Sequence, residues 1–114
     1  MSKHVTIVDY GLGNLHSVIN AFRHIGAEVD IAEDANTVVC AHYLVLPGVG
    51  AFADGMRGLR ERKQDQAIRA YAEHGRPLLG ICLGAQLLLE FSGEFGNSEG
   101  LGIISGRVDT IEGQ

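Results

Sequence analysis

The chain has 114 residues, 46% apolar and 20% charged, a balance that specifies a globular domain and excludes a disordered one. Its formal net charge of −5 argues against nucleic acid or an anionic membrane as the main partner. No apolar run approaches the ~20 residues that a bilayer span needs. The first residues, MSKHVTIVDY, enter a strand pattern with no signal-peptide layout, and two cysteines at unlike positions make no disulfide framework, so a cytoplasmic protein is expected.

His4 to Asp9 carries Val5, Ile7 and Val8 and reads as a short buried strand. Gly11 and Gly13 break it, and Asn14 can cap a helix whose apolar positions are Leu15, Val18, Ile19, Phe22 and Ile25. Gly26 stands where a helix end calls for a left-handed residue. Val29 to Ala32 is a second strand, Ala35 to Ala41 a short helical or irregular stretch, and His42 to Leu46 a third strand that Pro47 ends. Asp54 to Arg62 and Gln66 to His74 read as helices, with Met56, Leu59, Ala67, Tyr71 and Ala72 facing inward. Pro77 to Ile81 is a fourth strand, Leu83 to Phe91 a helix, Ser92 to Gly100 a polar loop, and Ile103 to Ile111 one or two further strands. Strands alternating with helices at this spacing predict an α/β domain, a flavodoxin-like layered sheet that is mostly parallel.

Gly80-Ile81-Cys82-Leu83-Gly84, between an apolar strand and an amphipathic helix, has the G-x-S-x-G spacing of a nucleophile elbow with cysteine in the serine position. Such an elbow forces its central residue into strained backbone, and glycines two residues away remove the side chains that would clash. Cys82 is therefore the candidate nucleophile, at a helix start where thiolate is favoured. The Leu83 N–H would point toward the oxygen of a carbonyl under attack.

Pro47-Gly48-Val49-Gly50-Ala51-Phe52 follows the third strand and can form an anion-binding nest. Gly48, Gly50 and Ala53 also fit the dinucleotide spacing G-x-G-x-x-A, but that fingerprint belongs in the first βα unit with an acidic residue about 20 positions on, and the region around Arg69 offers none. An oxyanion turn with the Val49 N–H as second donor fits better, and Gly50 is a candidate substrate-binding position. Asp9-Tyr10-Gly11-Leu12-Gly13-Asn14 has His16 where a dinucleotide glycine belongs, and a glycine turn with an Asn cap accounts for most of it. Gln86, one helical turn beyond Cys82, and Glu94, in the following loop, could touch a substrate, although either alone is more often a solvated residue. None of His4, His16, His24, His42 and His74 sits in a pattern marking a catalytic base, His74 reads as a helix C-terminal residue, and Cys40 reads as a small buried residue. No metal-ligand pattern and no cofactor motif emerges.

DYGLGNLHS, LPGVGAF and GICLGAQ, in this order and spacing, resemble the class I (triad) glutamine amidotransferases. With the late SEGLGII stretch, they are most similar to the glutaminase subunits of imidazole glycerol phosphate synthases. The resemblance implies a glutamyl thioester on Cys82, an oxyanion held by the Val49 and Leu83 N–H groups, and Gln86 and Glu94 at the amino-acid end of glutamine. It implies a (β/α)8-barrel cyclase partner that receives the ammonia in histidine biosynthesis, faced by the turn of Gly11, Gly13 and Asn14 and by the oxyanion turn. Ala85 stands where such subunits usually have methionine, and no histidine matches their late H-x-E pair. Residues 1–114 are thus expected to be the N-terminal part of such a domain, incomplete at the C-terminus and with little glutaminase activity alone. The alternatives are another amidotransferase of the class and a non-catalytic docking module of the same fold.

Overall fold

The computed structural model describes residues 3–12, 15–93 and 98–108. Four parallel strands form the central sheet in the order β2-β1-β3-β4: β1 is His4–Val8, β2 Glu28–Ala32, β3 Tyr43–Leu46 and β4 Leu78–Gly80. Alternation along the strands sends side chains to two faces. On one face Val8, Ala32, Leu44 and Leu46 pack with Val38 of α2 (Ala35–Val39), with Phe52, Met56 and Leu59 of α3 (Phe52–Glu61), and with Ile68 and Tyr71 of α4 (Gln64–Glu73). Met56, Leu59 and Ile68 are wholly buried, and burying a side chain of that size stabilises by about 1.5–3 kcal/mol. On the other face Val5, Ile7 and Val45 meet Leu15, Val18, Ile19 and Phe22 of α1 (Leu15–His24). Gly26 closes α1 at φ +91°, as its position predicts.

α1 covers only part of that second face. Beyond it an apolar groove of about 620 Å³ runs past Phe22, Ile25, Tyr43 and Leu79 at the amino ends of the strands, and Leu79 remains 51% exposed. No helix among the described residues is long and apolar enough to cross a membrane.

The α/β architecture and the four parallel strands agree with the sequence reading; the region after Cys82 differs in detail. Helix α5 spans only Leu83–Leu87, not Leu83 to Phe91, and Phe91–Ser92 is strand β5. The cause lies in the carbonyls. Those of Leu87, Leu88, Leu89 and Glu90 accept hydrogen bonds from the N–H groups of Leu101, Ile103 and Ile104, Gly102 and Gly100, so they cannot continue a helical ladder. β5 pairs antiparallel with β6 (Ser98–Glu99) and parallel with β7 (Arg107–Val108). Within 103–108 only Arg107–Val108 is strand, and 109–111 lie outside the described residues. Arg69 of α4 donates from Nε to the Leu101 carbonyl at 2.8 Å and from Nη2 to the Gly100 carbonyl at 3.1 Å, which fastens this segment to the domain.

Cys40 is the other correction. It is exposed, not buried, because it ends the short α2 helix while Val38 takes the inward position.

Candidate functional site

β3 and β4 run side by side in parallel register, Leu46 opposite Gly80, so the turns that follow them emerge together at the carboxyl edge of the sheet. This is where open α/β sheets place ligands. The turn after β4 is the elbow. Cys82 lies at φ 55° and ψ −122°, and among the described residues only Lys63 shares a positive φ without being glycine. Strain of this kind costs of order 1–3 kcal/mol and persists only where the surroundings impose it.

Here the surroundings are main chain. A Cβ on Gly84 would stand 1.7 Å from the Leu46 carbonyl oxygen, and one on Gly80 would stand 2.7 Å from the Ala85 Cα. Both glycines are required by close approach, as the motif predicts. The Ile81 N–H donates to the Leu46 carbonyl at 2.9 Å, and the Ala85 and Gln86 N–H groups donate to the Cys82 carbonyl at 3.0 and 3.3 Å, which start α5. The Cys82 side chain is left exposed at the first position before that helix.

The turn after β3 sits against the elbow. The Leu83 N–H donates to the Gly48 carbonyl at 3.2 Å. In this conformation the donor expected to be open for a substrate oxygen is therefore occupied by main chain. The Val49 N–H has no acceptor among the described residues, and the Val49 side chain is exposed. Gly50 has φ +106° and would place a Cβ in open space. Gln86 is exposed one turn beyond Cys82, on the outward side of α5, with Leu83 and Leu87 facing the core.

A residue of the first glycine turn to which the sequence reading gave no role joins this site. Tyr10, directly after β1 and only 1% exposed, donates its hydroxyl to the Pro47 carbonyl. Burial pushes its phenol pKa well above the ordinary tyrosine value. The ring comes so close to the turn that a Cβ on Gly48 would lie 1.9 Å from the Tyr10 hydroxyl oxygen. The Tyr10 carbonyl in turn accepts from Arg62 Nη1 at 3.0 Å. The Gly11 N–H bonds Asp9 Oδ1 at 3.1 Å, so the first turn is built as a glycine turn on an aspartate. Gly13, Asn14 and Glu94 lie outside the described residues.

No histidine hydrogen-bonds to Cys82. His4 pairs with Asp30, His74 Nδ1 meets the Ala70 carbonyl at 2.7 Å, and His16 Nε2 meets Asn20 Nδ2 at 3.1 Å. His4 opens β1 and His42 immediately precedes β3, at the amino ends of strands and opposite the cysteine, while His74 caps the carboxyl end of α4. The apolar groove is at that same far end and takes no part in the elbow. What the site offers is an exposed thiol on a strained turn, a main-chain N–H at Val49 in the neighbouring turn, and an N–H at Leu83 bonded to the Gly48 carbonyl.

The family model for class-I glutamine amidotransferases matches residues 6–113. The imidazole glycerol phosphate synthase subunit HisH of Symbiobacterium thermophilum is 55% identical over 104 residues, which are 91% of this chain and 49% of that protein. The subunit HisH 1 of Legionella pneumophila strain Lens is 49% identical over 107 residues, 94% of this chain and 50% of that protein. The chain thus spans about half the length of these curated relatives. Among solved structures, a glutamine amidotransferase superposes with a TM-score of 0.80 at 22% identity, covering 96% of this chain and 58% of that one, and shows the same fold.

Proposed function

Because this chain belongs to the class-I glutamine amidotransferase family, we propose that it carries the nucleophile of a glutaminase that supplies ammonia to an imidazole glycerol phosphate synthase. One observation carries the reading: Cys82 is exposed at φ 55° and ψ −122° between glycines whose Cβ positions are filled by neighbouring main chain. A thiol held in that way is aimed outward by the fold and serves no packing purpose.

The Cys82 thiolate attacks the side-chain amide carbon of glutamine, and the carbonyl oxygen takes up the negative charge. The Val49 N–H faces that charge, and the Leu83 N–H joins it once the Gly48 carbonyl turns away. Collapse of the adduct breaks the C–N bond; the nitrogen gains a proton and leaves as ammonia, and a glutamyl thioester stays on Cys82. Water then attacks the thioester, releasing glutamate and restoring the thiol. Gln86 and Glu94 hold the amino-acid end of the substrate. None of the five histidines of this chain bonds the thiol among the described residues, so none of them is assigned the proton shuttle. Ammonia passes to a (β/α)8-barrel cyclase partner in the cytoplasm, docked on the side of the turn of Gly11, Gly13 and Asn14; that the relatives are named as synthase subunits supports a partner subunit.

The test uses the two exposed cysteines against one another. A diazo-ketone analogue of glutamine is expected to label Cys82 and spare Cys40, with glutamine slowing the reaction, as read by peptide mass mapping. Equal labelling of both cysteines, or no protection by glutamine, rejects the assignment. In the same preparation, glutamate formation by the 114-residue chain is expected to be far below that of a full-length relative.

A further inference from the structure

We propose that Tyr10 is a positioning residue for the oxyanion turn: its buried hydroxyl, bonded to the Pro47 carbonyl, ties the turn after β1 to the turn after β3 and holds the Gly48 carbonyl on the Leu83 N–H. This deepens the glutaminase reading, since it rests on Pro47–Gly50 being the turn that supplies an oxyanion donor.

The tie is continuous. Arg62 Nη1 bonds the Tyr10 carbonyl at 3.0 Å, and a Cβ on Gly58 of α3 would stand 2.3 Å from that same oxygen, so the Tyr10 main chain is pressed onto α3. Its side chain crosses the core to the Pro47 carbonyl. The Pro47 carbonyl and the Gly48 N–H share one peptide plane, and the Gly48 carbonyl lies in the next, where it receives the Leu83 N–H at 3.2 Å; with the first plane bonded to the phenol and Gly48 packed against it, the second has little room to turn. A Cβ on Gly48 would reach within 1.9 Å of the Tyr10 hydroxyl oxygen and 3.2 Å of the Leu83 Cβ, so the glycine is the point where phenol, turn and elbow meet. A displacement of the Asp9–Leu12 turn therefore moves the Pro47 carbonyl through a rigid ring with two rotatable bonds. The state of the Leu83 donor, closed on Gly48 or open to a substrate oxygen, follows.

Tyr10→Phe removes only the hydroxyl. The expected result is amide hydrogen exchange at Leu83 faster by about tenfold, the equivalent of one hydrogen bond, with Ile81, whose N–H is bonded to Leu46, unchanged. Exchange that stays at the wild-type rate at Leu83, or rises equally at Leu83, Ile81 and Ile7, makes Tyr10 an ordinary core residue and overturns the proposal. Should Tyr10→Phe fold poorly, Arg62→Ala gives a second reading, because it removes the bond to the Tyr10 carbonyl and leaves the phenol in place. Exchange of the Leu83 amide is expected to quicken severalfold with Ile81 unchanged; a Leu83 rate equal to the wild type overturns the tie. Neither measurement involves glutamine. Failure of diazo-ketone labelling at Cys82 therefore sinks the glutaminase reading without touching the Tyr10 tie, and the reverse also holds.

Discussion

At the elbow after β4, a methyl group added to Gly80 or Gly84 would collide with main chain, whereas in the turn after β3 Gly50 looks into open space and Val49 is exposed. The first turn is fixed by exclusion: no neighbouring conformation is available, so Cys82 keeps its strained dihedral angles. The second is held by attraction, through the Tyr10 hydroxyl on Pro47 and the Leu83 N–H on Gly48, and each of those bonds is worth only about 1 kcal/mol net. Cys82 is thus set rigidly in the fold, and the main-chain donors that we propose for the developing charge are set softly. A site with this division can keep its thiol in place while the turn beside it changes from a resting to a working arrangement.

The comparison is tested hardest at Gly84. Gly84→Ala places a carbon 1.7 Å from the Leu46 carbonyl oxygen, a contact that no rotamer change can relieve because the oxygen is main chain and a Cβ has no torsion of its own. A loss of about 4 kcal/mol or more is expected, in the exceptional range for one substitution, and failure to accumulate as folded protein counts as that result. Gly80→Ala meets Ala85 main chain at 2.7–2.9 Å and is expected to cost about 2–3 kcal/mol. Urea denaturation gives both values. A Gly84→Ala protein with the wild-type midpoint would mean that the elbow is not fixed by exclusion at all.

These two glycines also mark how far the sequence could be read. Their need is local: residues 80, 82 and 84 are close along the chain, and the steric rule that links them to a cysteine at a strand–helix junction is a rule about residue type. The parallel sheet was legible for the same reason, from alternation within short windows, and Gly26 from its place after α1. Other features depend on partners far away in sequence. Nothing around residue 87 announces the end of α5, because what stops it is the capture of carbonyls 87–90 by N–H groups from 100–104. Tyr10 lies within the DYGLGN stretch, yet nothing local gives its hydroxyl a partner, since its acceptor is the Pro47 carbonyl, 37 positions along. Cys40 looked like a core residue because small apolar side chains usually are, yet a five-residue helix has room for few inward positions and Val38 fills one.

Next in size is the effect of relaxing Cys82 itself. Cys82→Gly relieves the positive φ, and Cys82→Ala removes the sulfur while keeping the strain. Relief of order 1–3 kcal/mol, less the roughly 0.5–1 kcal/mol entropic cost of glycine, leaves the glycine variant more stable than the alanine variant by about 1 kcal/mol. Thermal or urea melts of the two proteins give the difference directly. Equal midpoints would show that the dihedral angles cost nothing, and the case for an imposed elbow would weaken accordingly.

The smallest effect is expected in the soft turn. Gly50→Ala puts its Cβ where nothing lies within 4 Å, so no collision opposes it, and the cost comes only from φ +106°, a region that L side chains rarely adopt. The expected loss is below about 1 kcal/mol, less than an unrelieved left-handed residue costs, because a turn with an exposed neighbour and few bonds can rotate to ease the new residue. That rotation has a signature: exchange of the Leu83 amide should quicken as the Gly48 carbonyl shifts, while the Ile81 amide, bonded to Leu46 in the sheet, holds its rate. If Gly50→Ala instead proved as costly as Gly84→Ala, both turns would be equally rigid. The Leu83 donor could then be freed only by moving the elbow with it, and the separation between a fixed Cys82 and an adjustable turn after β3 would be lost.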